Sequence, residues 1–138
     1  MDFRLEVLTL PVSDVDRALR FYVDQLGFAL DVDYQPNPEF RVVQLTPPGS
    51  AASVQFGLGL TSATPGSAQA NYLVVSDIDA AHATLTARGV PVSALRHKAS
   101  ADWQGDFAPG IDPDRRPSAR FLDFADPDGN PWIIQERR

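Results

Sequence analysis

Apolar and polar positions along this chain change their period twice, and the same change occurs in each half. In the first half Leu5 to Val12 is mostly apolar and short, which predicts a strand. Val15, Ala18, Leu19, Tyr22 and Leu26 then recur at spacings of three and four, which puts them on one face of a helix. Asp14 stands just before this stripe, where its carboxylate can accept a free backbone N–H, and Gly27 stands just after it, where a left-handed exit costs glycine little. The predicted helix runs from Asp14 to about Leu26. In the second half Tyr72 to Val75 is the strand, Asp77 the cap, Ile78, Ala81 and Leu85 the stripe, and Gly89 the stop. That helix is predicted over about Ile78 to Arg88.

More strand-like material follows each helix. Phe28 to Val32, Phe40 to Leu45 and Ser53 to Leu58 are separated by Pro36-Asn37-Pro38 and by Pro47-Pro48-Gly49-Ser50, both rich in residues that set turn dihedrals. The second half closes with Ala119 to Phe124, the turn Asp126-Pro127-Asp128-Gly129-Asn130, and Trp132 to Gln135, which reads as a hairpin. Between them lies a segment without clear period, about Lys98 to Pro117, carrying Trp103, Phe107 and several prolines and glycines. A stretch of that length in a compact domain usually serves as a lid or is disordered.

The two halves are copies. Leu10-Pro11-Val12-Ser13-Asp14-Val15-Asp16-Arg17-Ala18 matches Leu73-Val74-Val75-Ser76-Asp77-Ile78-Asp79-Ala80-Ala81 at Leu, Val, Ser, both Asp and the second Ala, at a constant offset. The expected fold is therefore α+β. Two βαβββ modules, 1–61 and 68–138, joined by a linker at 62–67, are expected to pack into a single open mixed sheet. At 138 residues the chain is long enough for one ordinary domain, so both modules are expected to share it.

Composition narrows the chemistry. Apolar residues make up 43% and charged residues 22%, spread along the whole length, as in a globular protein rather than a disordered one. The absence of cysteine excludes disulfides, thiolate metal sites and cysteine nucleophiles. The net charge of −6, with Lys and Arg scattered, removes the electrostatic basis for binding nucleic acid. The start, Met1-Asp2-Phe3-Arg4-Leu5-Glu6, reads as neither a signal peptide nor a membrane anchor, which points to a cytoplasmic protein. A Gly-rich phosphate loop and a Gly-x-Ser-x-Gly elbow are both missing.

Val12-Ser13-Asp14-Val15-Asp16-Arg17-Ala18, continuing into Phe21-Tyr22 and Leu26-Gly27-Phe28, resembles the first-module signature of the glyoxalase / bleomycin-resistance / extradiol-dioxygenase superfamily, also called the vicinal oxygen chelate fold. Asp126-Pro127-Asp128-Gly129-Asn130 resembles its last hairpin. The resemblance implies two modules side by side with a ligand cleft, and a homodimer. In metal-dependent members it also implies one His, Glu or Gln on the first strand of each module and one Glu on the last. Those positions fall here on Val7, Gln55, Ala70 and Ile133, and only Gln55 carries a donor atom. Divalent cations need several converging oxygen or imidazole ligands, so no metal and no other cofactor is expected.

Among single residues, His82 reads as structural at the flank of its helical stripe, while His97 stands at the mouth of the long segment and is a candidate for the cleft. Glu6 reads as a strand-edge carboxylate. Asp123, Asp126 and Asp128 read as turn chemistry, and Trp132, alternating with Ile133, as core. Period-two alternation points Val7, Thr9, Ser53, Gln55, Ala70, Tyr72, Ile133 and Gln135 into the cleft, and Trp103 can close over it. The candidate ligand-binding residues are thus Thr9, Gln55, Tyr72, His97, Trp103 and Gln135. The expected function is binding of a small apolar or aromatic molecule without metal, as in antibiotic-resistance proteins of the superfamily. The alternative is a superfamily enzyme of lyase, isomerase or dioxygenase type, with Glu6, His97 or Tyr72 as acid or base or with an atypical metal site.

Overall fold

A computed structural model describes residues 1–100 and 102–137. The chain divides into two compact units, Met1–Gln69 with Asp126–Asn130, and Ala70–Ala125 with Pro131–Arg138. Each is an open mixed sheet with one helix, so the fold is α+β as expected.

In the first unit β1 (Val7–Thr9) is followed by α1 (Val15–Arg20), then β2 (Ala29–Asn37), β3 (Phe40–Thr46) and β4 (Ser53–Leu58), with sheet order β1-β4-β3-β2. β1 pairs parallel with β4, placing Val7 opposite Ser53 and Thr9 opposite Gln55. The strand expected over Leu5 to Val12 is shorter than its apolar run, although the Glu6 carbonyl and the Leu10 N–H still bond to β4 backbone. Phe3 and Leu5 have no partner strand and lie exposed. Pro36 does not end its strand as expected. β2 is an edge, where a missing N–H costs no ladder bond, and the turn comes only after Asn37, whose side chain accepts from the N–H groups of Glu39 and Phe40 at 3.0 Å.

Asp14 caps α1 as expected, its carboxylate accepting from Arg17 N–H at 3.0 Å. The helix does not continue as regular α to Leu26, because Phe21–Gln25 forms a π turn. The bond from Leu26 N–H to the Phe21 carbonyl skips one residue more than an α-helix does. Adjacent residues Phe21 and Tyr22 are both buried, at 4% and 0% exposure. At the exit Gly27 stands at φ +78, and Phe28 N–H bonds back to the Tyr22 carbonyl at 2.9 Å, one residue further than in a Schellman turn.

The Tyr22 ring packs against Phe28 and Phe56, each with its centroid at 5.6 Å, and its hydroxyl donates to Asp126 at 2.8 Å. The buried Asp126 carboxylate also accepts from the Asn130 side-chain amide and from the backbone N–H groups of Asp128 and Asn130. Asn130, fully buried, donates in turn to the Pro11 carbonyl and accepts from Ala68 N–H. Every polar atom here has a partner, as burial requires. The acidic turn is thus turn chemistry, and it also fastens the first strand's exit.

The second unit runs β5 (Asn71–Val75), α2 (Ile78–Ala87), β6 (Arg96–Lys98), β7 (Phe107–Pro109), β8 (Phe121–Ala125) and β9 (Pro131–Glu136), in sheet order β5-β9-β8-β6-β7. Asp77 caps α2 through Ala80 N–H at 3.0 Å, and Gly89 at φ +79 terminates it. Ile78, Leu85, Leu122, Phe124, Trp132 and Ile134 make the core, with Phe124 and Trp132 stacked at 6.3 Å. The segment without clear period, Lys98 to Pro117, starts on the last residue of β6 and contains β7, and these three-residue strands are too short to show alternation.

Candidate ligand pocket

On β8 and β9 the residues that alternate with this core lie on the other sheet face. There Phe121 pairs with Gln135, and Asp123 with Ile133. β5 adds Tyr72 opposite Ile133 and Val74 opposite Gln135, exposed at 51% and 56%. The segment after β6 returns over the far end of this face. The ring of Phe107 lies 5.0 Å from that of Phe121, and Trp103 meets Phe121 edge-on at 5.7 Å. Phe121 is thereby reduced to 2% exposure, whereas Trp103 keeps 38% and is free to meet a ligand.

These residues surround a depression of about 330 Å³ lined by Tyr72, Lys98, Trp103, Ser118, Phe121, Gln135 and Arg137. Its volume falls near the lower end of small-molecule sites, roughly 300–1000 Å³. The Gln135 amide N–H donates to the Ser118 carbonyl at 2.8 Å, which fixes the side chain. Ser118 stands in the left-handed region, φ +59, and so does Trp103, φ +68. For a bulky residue that conformation carries strain of order 1 kcal/mol or more and persists only when its surroundings impose it.

Arg116 holds the loop around Trp103. Its guanidinium donates to the Lys98 and Ser100 carbonyls at 2.9 Å and to the Asp112 carboxylate at 2.8 Å, and it lies 5.6 Å from the Trp103 ring centroid. The hydrogen bond from Arg116 holds the Asp112 carboxyl well below the usual carboxylate range, against the opposing effect of desolvation. Arg116 is raised by the same contact. The pair is largely buried, with side-chain exposures of 18% and 3%. One arginine therefore buckles both ends of the loop.

The structure groups Tyr72, Trp103 and Gln135 of the sequence candidates around one depression. Thr9 and Gln55 lie in the first unit, where the Gln55 amide donates to the Thr9 hydroxyl at 2.9 Å. His97 is buried on β6, its Nδ1 3.0 Å from the Gly110 carbonyl, and does not line the depression. Lys98, Ser118, Phe121 and Arg137 were missed. Phe121 was within reach, since two-residue alternation on β8 places it beside Gln135, but Lys98 and Arg137 carry no pattern that separates them from other surface cations.

A larger cavity, about 460 Å³, opens among Asp112, Arg115, Arg120, Glu136 and their neighbours. It has no aromatic wall. Arg120 is held by Asp79 at 3.0 Å and faces Glu136 at 3.4 Å, so part of the charge around this space is already paired. Among the described residues no group of three or more His, Asp or Glu side chains converges as a metal ligand set.

Two open mixed sheets of four and five strands, each with one capped helix, and an Asp-Pro-Asp-Gly-Asn lock define the class of fold. The chain belongs to the Glyoxalase/Bleomycin resistance protein/Dioxygenase superfamily, whose model matches residues 4–134. It is similar to the crystal structure of TnmS3, an antibiotic binding protein from Streptomyces sp. CB03234, at 30% identity and TM-score 0.75, over 99% of this chain and 98% of that one. A glyoxalase/bleomycin resistance protein from the same organism shares 31% identity over 95% and 98% of the two chains, with TM-score 0.70. A superfamily member from Sphaerobacter thermophilus DSM 20745 shares 33% over 99% and 98%, with TM-score 0.73. No curated protein matches the chain.

Proposed function

We propose that this protein binds a small apolar or aromatic molecule against the open sheet face of its second unit, without a metal ion. The observation that carries this reading is the grouping of Tyr72, Trp103 and Phe121 around the fixed amide of Gln135. Apolar walls with one or two oriented polar groups are the composition of binding sites rather than of bare surface. The antibiotic-binding relative supports the same direction. The superfamily's metal positions, Val7, Gln55, Ala70 and Ile133, offer a single donor side chain, the Gln55 amide, whose oxygen alone falls short of the several ligands a divalent cation needs. The depression has no carboxylate or imidazole in its lining, so the alternative reading as a lyase, isomerase or dioxygenase would have to rest there on Tyr72 and Lys98.

Tryptophan emission tests the binding. A hydrophobic aromatic titrant should quench it, Trp103→Ala should weaken binding by about 1–3 kcal/mol as for other aromatic anchors, and a chelator should change nothing. Stoichiometric metal by elemental analysis, lost together with binding on chelation, would refute the reading. The same reading takes the two modules as one cytoplasmic domain that dimerises. Leu30, Val32 and Tyr34 on edge strand β2 are exposed at 40–57% and are the apolar surface a second copy would cover. Light scattering that returned a concentration-independent mass of 15.1 kDa would exclude the dimer. Nucleic acid has no place in it at a net charge of −6. Among the described residues no helix is long and apolar enough to cross a membrane.

A further inference from the structure

The charge around the depression runs against the charge of the chain. The protein carries −6 overall, yet the depression is lined by two cations, Lys98 and Arg137, and by no carboxylate. Several arginines elsewhere are neutralised locally. Arg41 sits on Asp16 and Asp33, Arg96 on Asp123, Arg116 on Asp112, and Arg120 on Asp79 and Glu136. Lys98 and Arg137 make no such pair among the described residues. Lys98 is positioned rather than loose, with its ammonium 4.2 Å from the centroid of Phe107 and 3.2 Å from the Gly105 carbonyl. Neither contact removes its charge. Gln135 has committed one N–H of its amide to Ser118, so its second N–H and its carbonyl oxygen are the groups it has left to offer a ligand.

We infer that the ligand class is a planar aromatic that carries an anionic group, its ring against Tyr72, Trp103 and Phe121 and its negative charge between Lys98 and Arg137. This rests on the proposed binding function and narrows it. A neutral aromatic would leave two unpaired cations at the edge of an apolar site, whereas a carboxylate, sulfonate or phenolate would gain charge-assisted hydrogen bonds from both. Two of the three aromatics stay partly exposed, so the ring can enter without rearrangement of the sheet, and the volume suits a ligand of about two fused rings.

The test compares 2-naphthoate with 2-naphthamide, which match in shape and differ in charge, by isothermal titration calorimetry on the full chain. The carboxylate should bind about tenfold more tightly, and this ratio should shrink in 0.5 M salt because both cations are partly exposed. In Arg137→Gln the ratio should fall to about threefold, and in the Lys98→Met/Arg137→Gln double variant to near one. Arg137 lies beyond the last strand, so its single variant reports even where the double variant fails to fold. Equal affinities for the two probes in the parent protein, or a ratio that survives both substitutions, would overturn the anionic assignment while leaving aromatic binding standing. Failure of both probes to bind would remove the binding reading itself and this inference with it.

Discussion

The two units begin alike and finish differently. Asp14 and Asp77 adopt almost the same backbone, φ −133 and ψ 105 against φ −138 and ψ 102, and each carboxylate accepts the N–H three residues on at 3.0 Å. Both helices leave through a left-handed glycine. After that the first unit builds a long hairpin, β2 and β3, and its open face carries polar groups that satisfy one another, such as Thr9 with Gln55 and Ser53 with Thr46. The second unit builds the short β6–β7 hairpin, whose connection carries Trp103 and whose β7 begins at Phe107, and so lays aromatic rings over its sheet. A duplicated scaffold thus keeps its caps and exits, where local geometry is demanding, and varies the connection that reaches the open face.

The largest effect expected from this contrast concerns how each unit holds its acidic residues. Asp126→Ala strips the partner from the buried Tyr22 hydroxyl and the Asn130 amide together, and should cost about 2–4 kcal/mol in urea unfolding. Asp123→Ala in the second unit breaks only a half-exposed pair with Arg96 and should cost less than about 1 kcal/mol. Comparable losses would show that the lock is not special to the first unit.

Next comes a pair of glycines with similar backbone and unlike surroundings. Gly66 has φ +82, and a Cβ there would lie 2.1 Å from the Asp128 carbonyl oxygen. Gly105 in the long loop has φ +76 with nothing within 4 Å. Gly105→Ala should cost about 1 kcal/mol from conformation alone, and Gly66→Ala at least about 2 kcal/mol more, since backbone has to move. Thermal melts of the two variants distinguish them.

Binding should separate the open faces. If the aromatic face of the second unit is the site, Trp103→Ala loses about 1–3 kcal/mol of affinity for an aromatic titrant while Gln55→Ala loses less than about 0.5 kcal/mol. A larger loss from Gln55→Ala would move the ligand toward the polar face of the first unit.

The smallest effect is one of pH. Asp112 is depressed in the folded protein, so its contribution with Arg116 is complete above the ordinary carboxyl value of about 4 and is lost as pH falls below it toward the folded value. Trp103 emission should therefore be constant from pH 5 to 8 and change on acidification below about pH 4. Asp112→Asn should show the loosened signal throughout. A transition near neutral pH would mean that a different group holds the loop.

The sequence by itself determined whatever local chemistry dictates. The repeat, both caps, both glycine exits, most strands, the acidic turn and the core place of Trp132 follow from residues within one or two turns of one another, where spacing is the geometry. Tertiary structure alone decided three other things. It shortened β1, because a strand exists only as far as β4 provides partners. It opened a π turn after Arg20, since burying Phe21 and Tyr22 together is settled by the sheet they meet and not by helical period. And it assembled the depression, whose Lys98, Trp103, Ser118, Phe121, Gln135 and Arg137 come from four separate stretches of chain. No window of sequence contains them. They meet because Arg116 ties the loop's two ends to Asp112 and so fixes where Trp103 comes down on Phe121.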